Sequence, residues 1–103
     1  MFNRLKKNNQ LYPKETISFT ELNIIKDVLP KSDLMICKDC LIHFSYRDIF
    51  KFLTNFNKSS IRYLLTTNFY FNKNSDYKIK DIVTGDHRLT DLTSEPINFP
   101  PPI

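Results

Sequence analysis

Residues 31–69 read KSDLMICKDCLIHFSYRDIFKFLTNFNKSSIRYLLTTNF, and this stretch decides the fold. Its opening run, Asp33–Cys37 (DLMIC), is continuously apolar after the aspartate and lacks alternation, as expected of a strand buried on both faces of a parallel sheet. A turn is expected over Lys38–Ser45. Ser45 then stands as a helix N-cap with Asp48 three residues on, a capping box with Asp in the place of Glu. Over Tyr46–Phe56, Ile49, Phe52, Leu53 and Phe56 fall on one helical stripe. Asn57–Ser60 closes that helix in polar residues, and Ile61–Thr67 (IRYLLTT) returns to strand character. A strand, a helix of this length and a second strand predict a parallel pair joined by a right-handed crossover.

Outward from this unit the signals weaken. Residues 3–11 suggest a short helix stopped at Tyr12-Pro13. Thr16–Leu22 alternates and predicts a strand; Asn23–Lys31 predicts a loop. Past Phe69 the chain is polar, with a short extended piece expected at Asp81–Thr84 and a turn around Gly85. The tail INFPPPI should be extended, and its Ile97, Phe99 and Ile103 have nothing later in the chain to pack on. The fold class expected is α/β, a partial Rossmann-like doubly wound sheet, mostly parallel and missing its first strands.

The chain has 103 residues, enough for one domain, and a net charge of +4 from 15 Lys+Arg against 11 Asp+Glu. The one dense basic cluster, Arg4, Lys6 and Lys7, reads as a solvated helix face, so no nucleic-acid footprint is evident. No apolar run is long enough to cross a bilayer and no signal-like segment opens the sequence, so a cytoplasmic location and no membrane partner are expected. An exposed sheet edge invites self-association. Gly85 is the only glycine, so the sequence holds no glycine-rich phosphate- or cofactor-cradling turn.

In open α/β sheets, ligands sit beyond the carboxyl ends of the strands. Those ends are expected at Leu22–Ile24, Cys37–His43 and Thr66–Phe69, side by side on one edge. Asp39 offers a carboxylate for orienting or deprotonating a nucleophile, or for capping turn amides; His43 offers an imidazole base or a backbone hydrogen bond. Asp86, His87 and Arg88 form a second polar group beside Gly85, readable equally as a substrate contact or an exposed turn with a local ion pair. Cys37 and Cys40 make a CxxC. It admits a thiol–disulfide site, half of a zinc site completed by His43 and His87, or simple packing of Cys37 at a strand end.

Three segments, LPKSDLMICKDCLIHFSYRDI (29–49), SSIRYLLTTNF (59–69) and DIVTGDHRLTDLTSEPINFPPPI (81–103), together resemble a family of bacterial class I S-adenosylmethionine-dependent methyltransferases. The likeness runs in order from Gln10 to Ile103. It implies the C-terminal part of such a domain, incomplete at both ends, with S-adenosylmethionine as cofactor and an unknown methyl acceptor. By the resemblance, Asn23 and Ile24 lie beside the adenine, with Asn23 where the family has Asp. Cys37, Lys38 and Asp39 line the cofactor edge; Asp39 and His43 position and deprotonate the nucleophile; and Asp86, His87 and Arg88 face the substrate. His87 stands where the family has Trp, and Asp91 where it has Asn. Two readings from other classes remain beside it: a CxxC thiol–disulfide oxidoreductase and a non-catalytic interaction module.

Overall fold

The computed structural model describes Gln10 and residues 17–71 and 80–103. Strand β1 (Leu34–Cys37) is followed by a single 3-10 turn (Leu41–His43), helix α1 (Tyr46–Lys58) and strand β2 (Tyr63–Thr66). β1 and β2 pair in parallel, Leu34 opposite Tyr63 and Cys37 opposite Thr66. The strand–helix–strand unit is thus as the hydrophobic pattern predicts, with the helix two residues longer and the strands shorter at their ends.

The helix starts where its cap chemistry dictates. The Ser45 hydroxyl accepts the amide of Asp48 at 3.1 Å. The reciprocal half of the capping box is altered: the Ser45 amide donates to Thr84 Oγ1 at 2.9 Å, and that hydroxyl donates to the Asp48 carboxylate at 2.5 Å. Asp81 takes the next orphan amide, that of Tyr46, at 2.8 Å. Residues 81–84, expected as an extended piece, are irregular and cap a helix 35 or more residues earlier; the turn around Gly85 follows as expected.

One stripe of α1 faces the core. Ile49 and Phe52 are completely buried and Leu53 and Phe56 half-buried, packing with Leu29, Cys37, Leu41, Ile61, Leu92 and Ile97. Leu92 and Ile97 come from the tail, which folds back through turns at residues 92–97 and tethers its Phe99 amide to the Leu92 carbonyl at 2.7 Å. The tail's Ile97 therefore packs on earlier segments of the chain.

Two expectations are corrected. The strand expected at Thr16–Leu22 does not form over its described part, residues 17–22. Its alternation supplies no core-facing side, Ile17 and Leu22 being exposed and Phe19 only half-buried. β1 is also not buried on both faces. Met35, Leu64, Cys37 and Thr66 lie on the half-buried or buried side, while Leu34, Ile36, Tyr63 and Leu65 are exposed on the other. Among the described residues a single helix accompanies this two-stranded sheet, so alternate side chains stay open. The helix expected at residues 3–11 lies outside the described residues except for Gln10. No helix of the described residues is long and apolar enough to cross a membrane.

Candidate active site at the carboxyl edge of the sheet

Three loops meet where β1 and β2 end. The first, Lys38–Ser45, leaves β1; the second, Thr67–Phe69, leaves β2; the third, Thr84–Leu92, is laced to both. Gly85 donates its amide to the His43 carbonyl at 2.7 Å, Arg88 its amide to the Ile42 carbonyl at 3.3 Å, and Phe69 its amide to the Thr90 carbonyl at 3.0 Å. Gly85 has φ +105°, a conformation L side chains rarely adopt, which explains glycine at this position.

Asp39 is the second turn residue beyond β1 and has φ 51°, the left-handed conformation that Asp tolerates better than most residues. Thr67, the first residue beyond β2, holds it there. The Asp39 amide donates to Thr67 Oγ1 at 2.8 Å, and that hydroxyl donates to Asp39 Oδ1 at 3.2 Å. Asp39 is exposed. An open recess of about 210 Å³ adjoins it, lined by Ile36, Lys38, Leu65, Thr66 and Thr67. Ligand pockets usually hold roughly 300–1,000 Å³. The recess is smaller than that range.

His43 lies across the first and third loops. Its Nδ1 is 2.9 Å from the Asp86 carbonyl. A carbonyl only accepts, so Nδ1 carries the hydrogen and, in the neutral ring, Nε2 keeps the basic lone pair. The His87 ring stands 5.4 Å away between centroids, tilted by 46°. Asp86 turns its own carboxylate inward to the His87 amide at 2.9 Å. Asp86 and His87 are exposed.

Arg88 is of a different kind. It is buried, with 2% of its surface exposed. Its Nη1 donates to the Leu41 and Ile42 carbonyls at 3.2 and 2.9 Å, its Nε to the Lys80 carbonyl at 3.3 Å, and its guanidinium carbon lies 5.1 Å from the Tyr46 ring centre. These contacts make Arg88 the pin between the third loop and the 3-10 turn, through charge-assisted hydrogen bonds to backbone carbonyls.

Asn23 and Ile24 are not brought to this edge by a strand. Asn23 builds a local turn, its Oδ1 accepting the Ile25 amide at 3.0 Å and its own amide donating to Asp27 Oδ2 at 2.8 Å. The Ile24 carbonyl accepts from the Asn55 side chain at 3.0 Å. Asn55 is ten residues past the N-cap Ser45, roughly 15 Å along the helix at 1.5 Å per residue.

The two thiols are free. Cys37 is buried at the end of β1 and Cys40 is half-exposed. The side-chain hydrogen bond between them, then burial, pushes the Cys37 thiol far up. The same hydrogen bond lowers Cys40 to about 7, against the opposing effect of burial and with help from the His43 imidazole. Among the described residues no group of three or more His, Cys, Asp or Glu side chains is placed to hold a metal ion.

Four residues the sequence reading did not single out hold the edge together: Thr67, Asn68, Thr84 and Asp81. Asn68 accepts the Leu92 amide at 2.6 Å and donates to Asp91 Oδ1 at 3.3 Å. Asp91 is buried and also takes the Thr93 amide and hydroxyl at 3.0 and 2.6 Å and the Ser94 hydroxyl at 3.2 Å. Burial works to raise its carboxyl, but the hydrogen bonds from Thr93, Asn68 and Ser94 outweigh it and hold the group below the ordinary range. A larger apolar hollow of about 720 Å³ lies between α1, β2 and residues 99–103; no Asp, Glu, His, Cys, Lys or Arg lines it, and Tyr63 and Tyr70 are the titratable side chains on its walls.

Comparison with family models, with curated proteins and with solved structures finds no match to this chain.

Proposed function

We propose that this chain contributes the carboxyl-edge half of a class I S-adenosylmethionine-dependent methyltransferase site. The observation that carries the reading is the Asp39–Thr67 pair, a carboxylate fixed by a hydroxyl at the adjoining ends of two parallel strands, where open α/β sheets bind ligands. The open sheet face agrees with it: Leu34, Ile36, Tyr63 and Leu65 are the residue types of strands covered on both sides in a doubly wound sheet.

The residues present fit part of the cofactor. Lys38, Thr66 and Thr67 give the recess polar walls, Ile36 and Leu65 give it an apolar floor, and the Thr67 hydroxyl of that wall donates to the Asp39 carboxylate. Cys37 contributes through its backbone, its carbonyl already engaged by Thr66 Oγ1 at 3.0 Å. Asn23 and Ile24 would join only through a rearrangement of their turn. No glycine-rich turn lies among these residues, so the methionine end has no cradle here.

When bound, S-adenosylmethionine supplies an electrophilic methyl group. The chain's own part is alignment and proton handling: Asp39 orients, and His43, with Nε2 basic, accepts a proton from an acceptor's hydroxyl or amine. His87 and Asp86 flank His43 and give the acceptor side its polar character; the acceptor is otherwise unspecified. Arg88 acts as a positioning residue beneath them. Adding S-adenosylhomocysteine to isotopically labelled chain should shift the amides of Lys38, Asp39 and Thr67 before those near Asn55. Shifts confined to other regions would count against the assignment.

A further inference from the structure

We propose that Cys37 and Cys40 form a reversible intramolecular disulfide by exchange with low-molecular-weight disulfides, with Cys40 as the attacking and Cys37 as the resolving thiol. This goes beyond the methyl-transfer reading and does not depend on it.

Geometry carries the argument. Lys38 and Asp39 are the two central residues of a turn whose ends are Cys37 and Cys40. The ends of such a turn approach within about 7 Å between Cα atoms, and a disulfide spans about 4.4–6.8 Å. The shifts of the two thiols, each caused first by the other cysteine, agree with that closeness. They are the only cysteines of the chain, and both are free. Their exposure divides the roles. Cys40 is half-exposed and reachable by a small disulfide, whereas Cys37 is 5% exposed and reachable only by its neighbour. The depressed Cys40 thiol agrees with that division.

The exchange balances in two steps. The Cys40 thiolate attacks one sulfur of glutathione disulfide, forms a mixed disulfide and expels one glutathione thiolate. Cys37, whose proton is released to solvent once Cys40 no longer holds negative charge, attacks the Cys40 sulfur and expels the second. The protein loses two electrons and two protons, and glutathione disulfide gains them as two thiols. The product closes a ring around Asp39, so oxidation state would reach the residue that joins the two strand ends.

The test is intact-mass analysis of the reduced full chain after incubation with oxidised glutathione, with alkylation of remaining thiols. The expected product has lost two hydrogens, carries no glutathione and takes up no alkylating agent. Cys37→Ser should stop at one glutathione on Cys40, and Cys40→Ser should leave Cys37 unmodified, each with a wild-type circular dichroism spectrum. A wild-type chain that stays reduced, that retains a glutathione adduct, or that links to a second chain would overturn the proposal. So would modification of Cys37 in the Cys40→Ser chain at the wild-type rate.

Discussion

Asp39 and Thr67 close a two-way hydrogen bond across the ends of the parallel strands: amide to hydroxyl at 2.8 Å, hydroxyl to carboxylate at 3.2 Å. Twenty-eight residues separate them in sequence. The pair fixes the one backbone position of the first loop with positive φ and ties its carboxylate to the end of β2.

Thr67 should therefore act through Asp39. Thr67→Val removes the hydroxyl at nearly constant volume and leaves the Asp39 amide without its partner. The site is exposed, so a stability loss of about 1 kcal/mol is expected. Binding of S-adenosylhomocysteine should weaken more than stability does, and Thr67→Ser should restore both. Equal binding by Thr67→Val and wild type would remove Thr67 from the site.

Thr84 completes the N-terminal cap of α1 from a segment 39 residues away. Thr84→Ala should destabilise the chain by about 1 kcal/mol, as should Ser45→Ala. Because both hydroxyls serve one network, the double substitution should cost clearly less than the sum of the two singles in urea unfolding. Strict additivity would mean that the Ser45 and Thr84 hydroxyls act independently rather than as one network.

Arg88 is predicted to be structural before it is functional. Arg88→Lys keeps the charge but cannot reach Leu41, Ile42 and Lys80 carbonyls together, so a loss of roughly 2–3 kcal/mol is expected. The thermal midpoint should fall even for the lysine variant; an unchanged midpoint would contradict the pinning role.

Two pH dependences follow from the shifted groups. Asp91 is held below its ordinary value of 3.8, so its stabilisation is complete above that value and lost as pH falls through the lower folded value. Asp91→Asn should flatten the acid limb of the unfolding curve. For Cys40, iodoacetamide should react with a midpoint near pH 7, and Cys37→Ala should move that midpoint up toward 9.0. The groups facing this thiol are the Cys37 thiol and the His43 imidazole, and the main cause is the Cys37 hydrogen bond.

How much of this was legible beforehand follows from where each signal resides. The strand–helix–strand unit was readable because Ser45, Ile49, Phe52 and Phe56 write a cap and a stripe at fixed local spacing, and local spacing is what a sequence displays. The strand expected at Thr16–Leu22 misled because alternation states only that one side could face a core, and here no core-facing side is supplied. Asp39 and His43 were recognisable as polar residues just past an apolar run. Their partners were not: Thr67 and the Asp86 carbonyl reach them from 28 and 43 residues away, and backbone carbonyls leave no residue-type signal. Arg88 looked like a surface charge beside a turn; its burial depends on the carbonyls of Leu41 and Ile42, which only the folded 3-10 turn presents. Asn23 aligned well by order along the chain, yet its local turn is tied to Asn55 rather than to a strand end.

The central claim is that Asp39 and its surroundings form a cofactor edge, and calorimetric titration of the full chain with S-adenosylhomocysteine tests it most directly. The account predicts saturable binding that disappears in Asp39→Ala while the circular dichroism spectrum is retained. Absence of binding by the wild-type chain, or binding undiminished in Asp39→Ala, would contradict it.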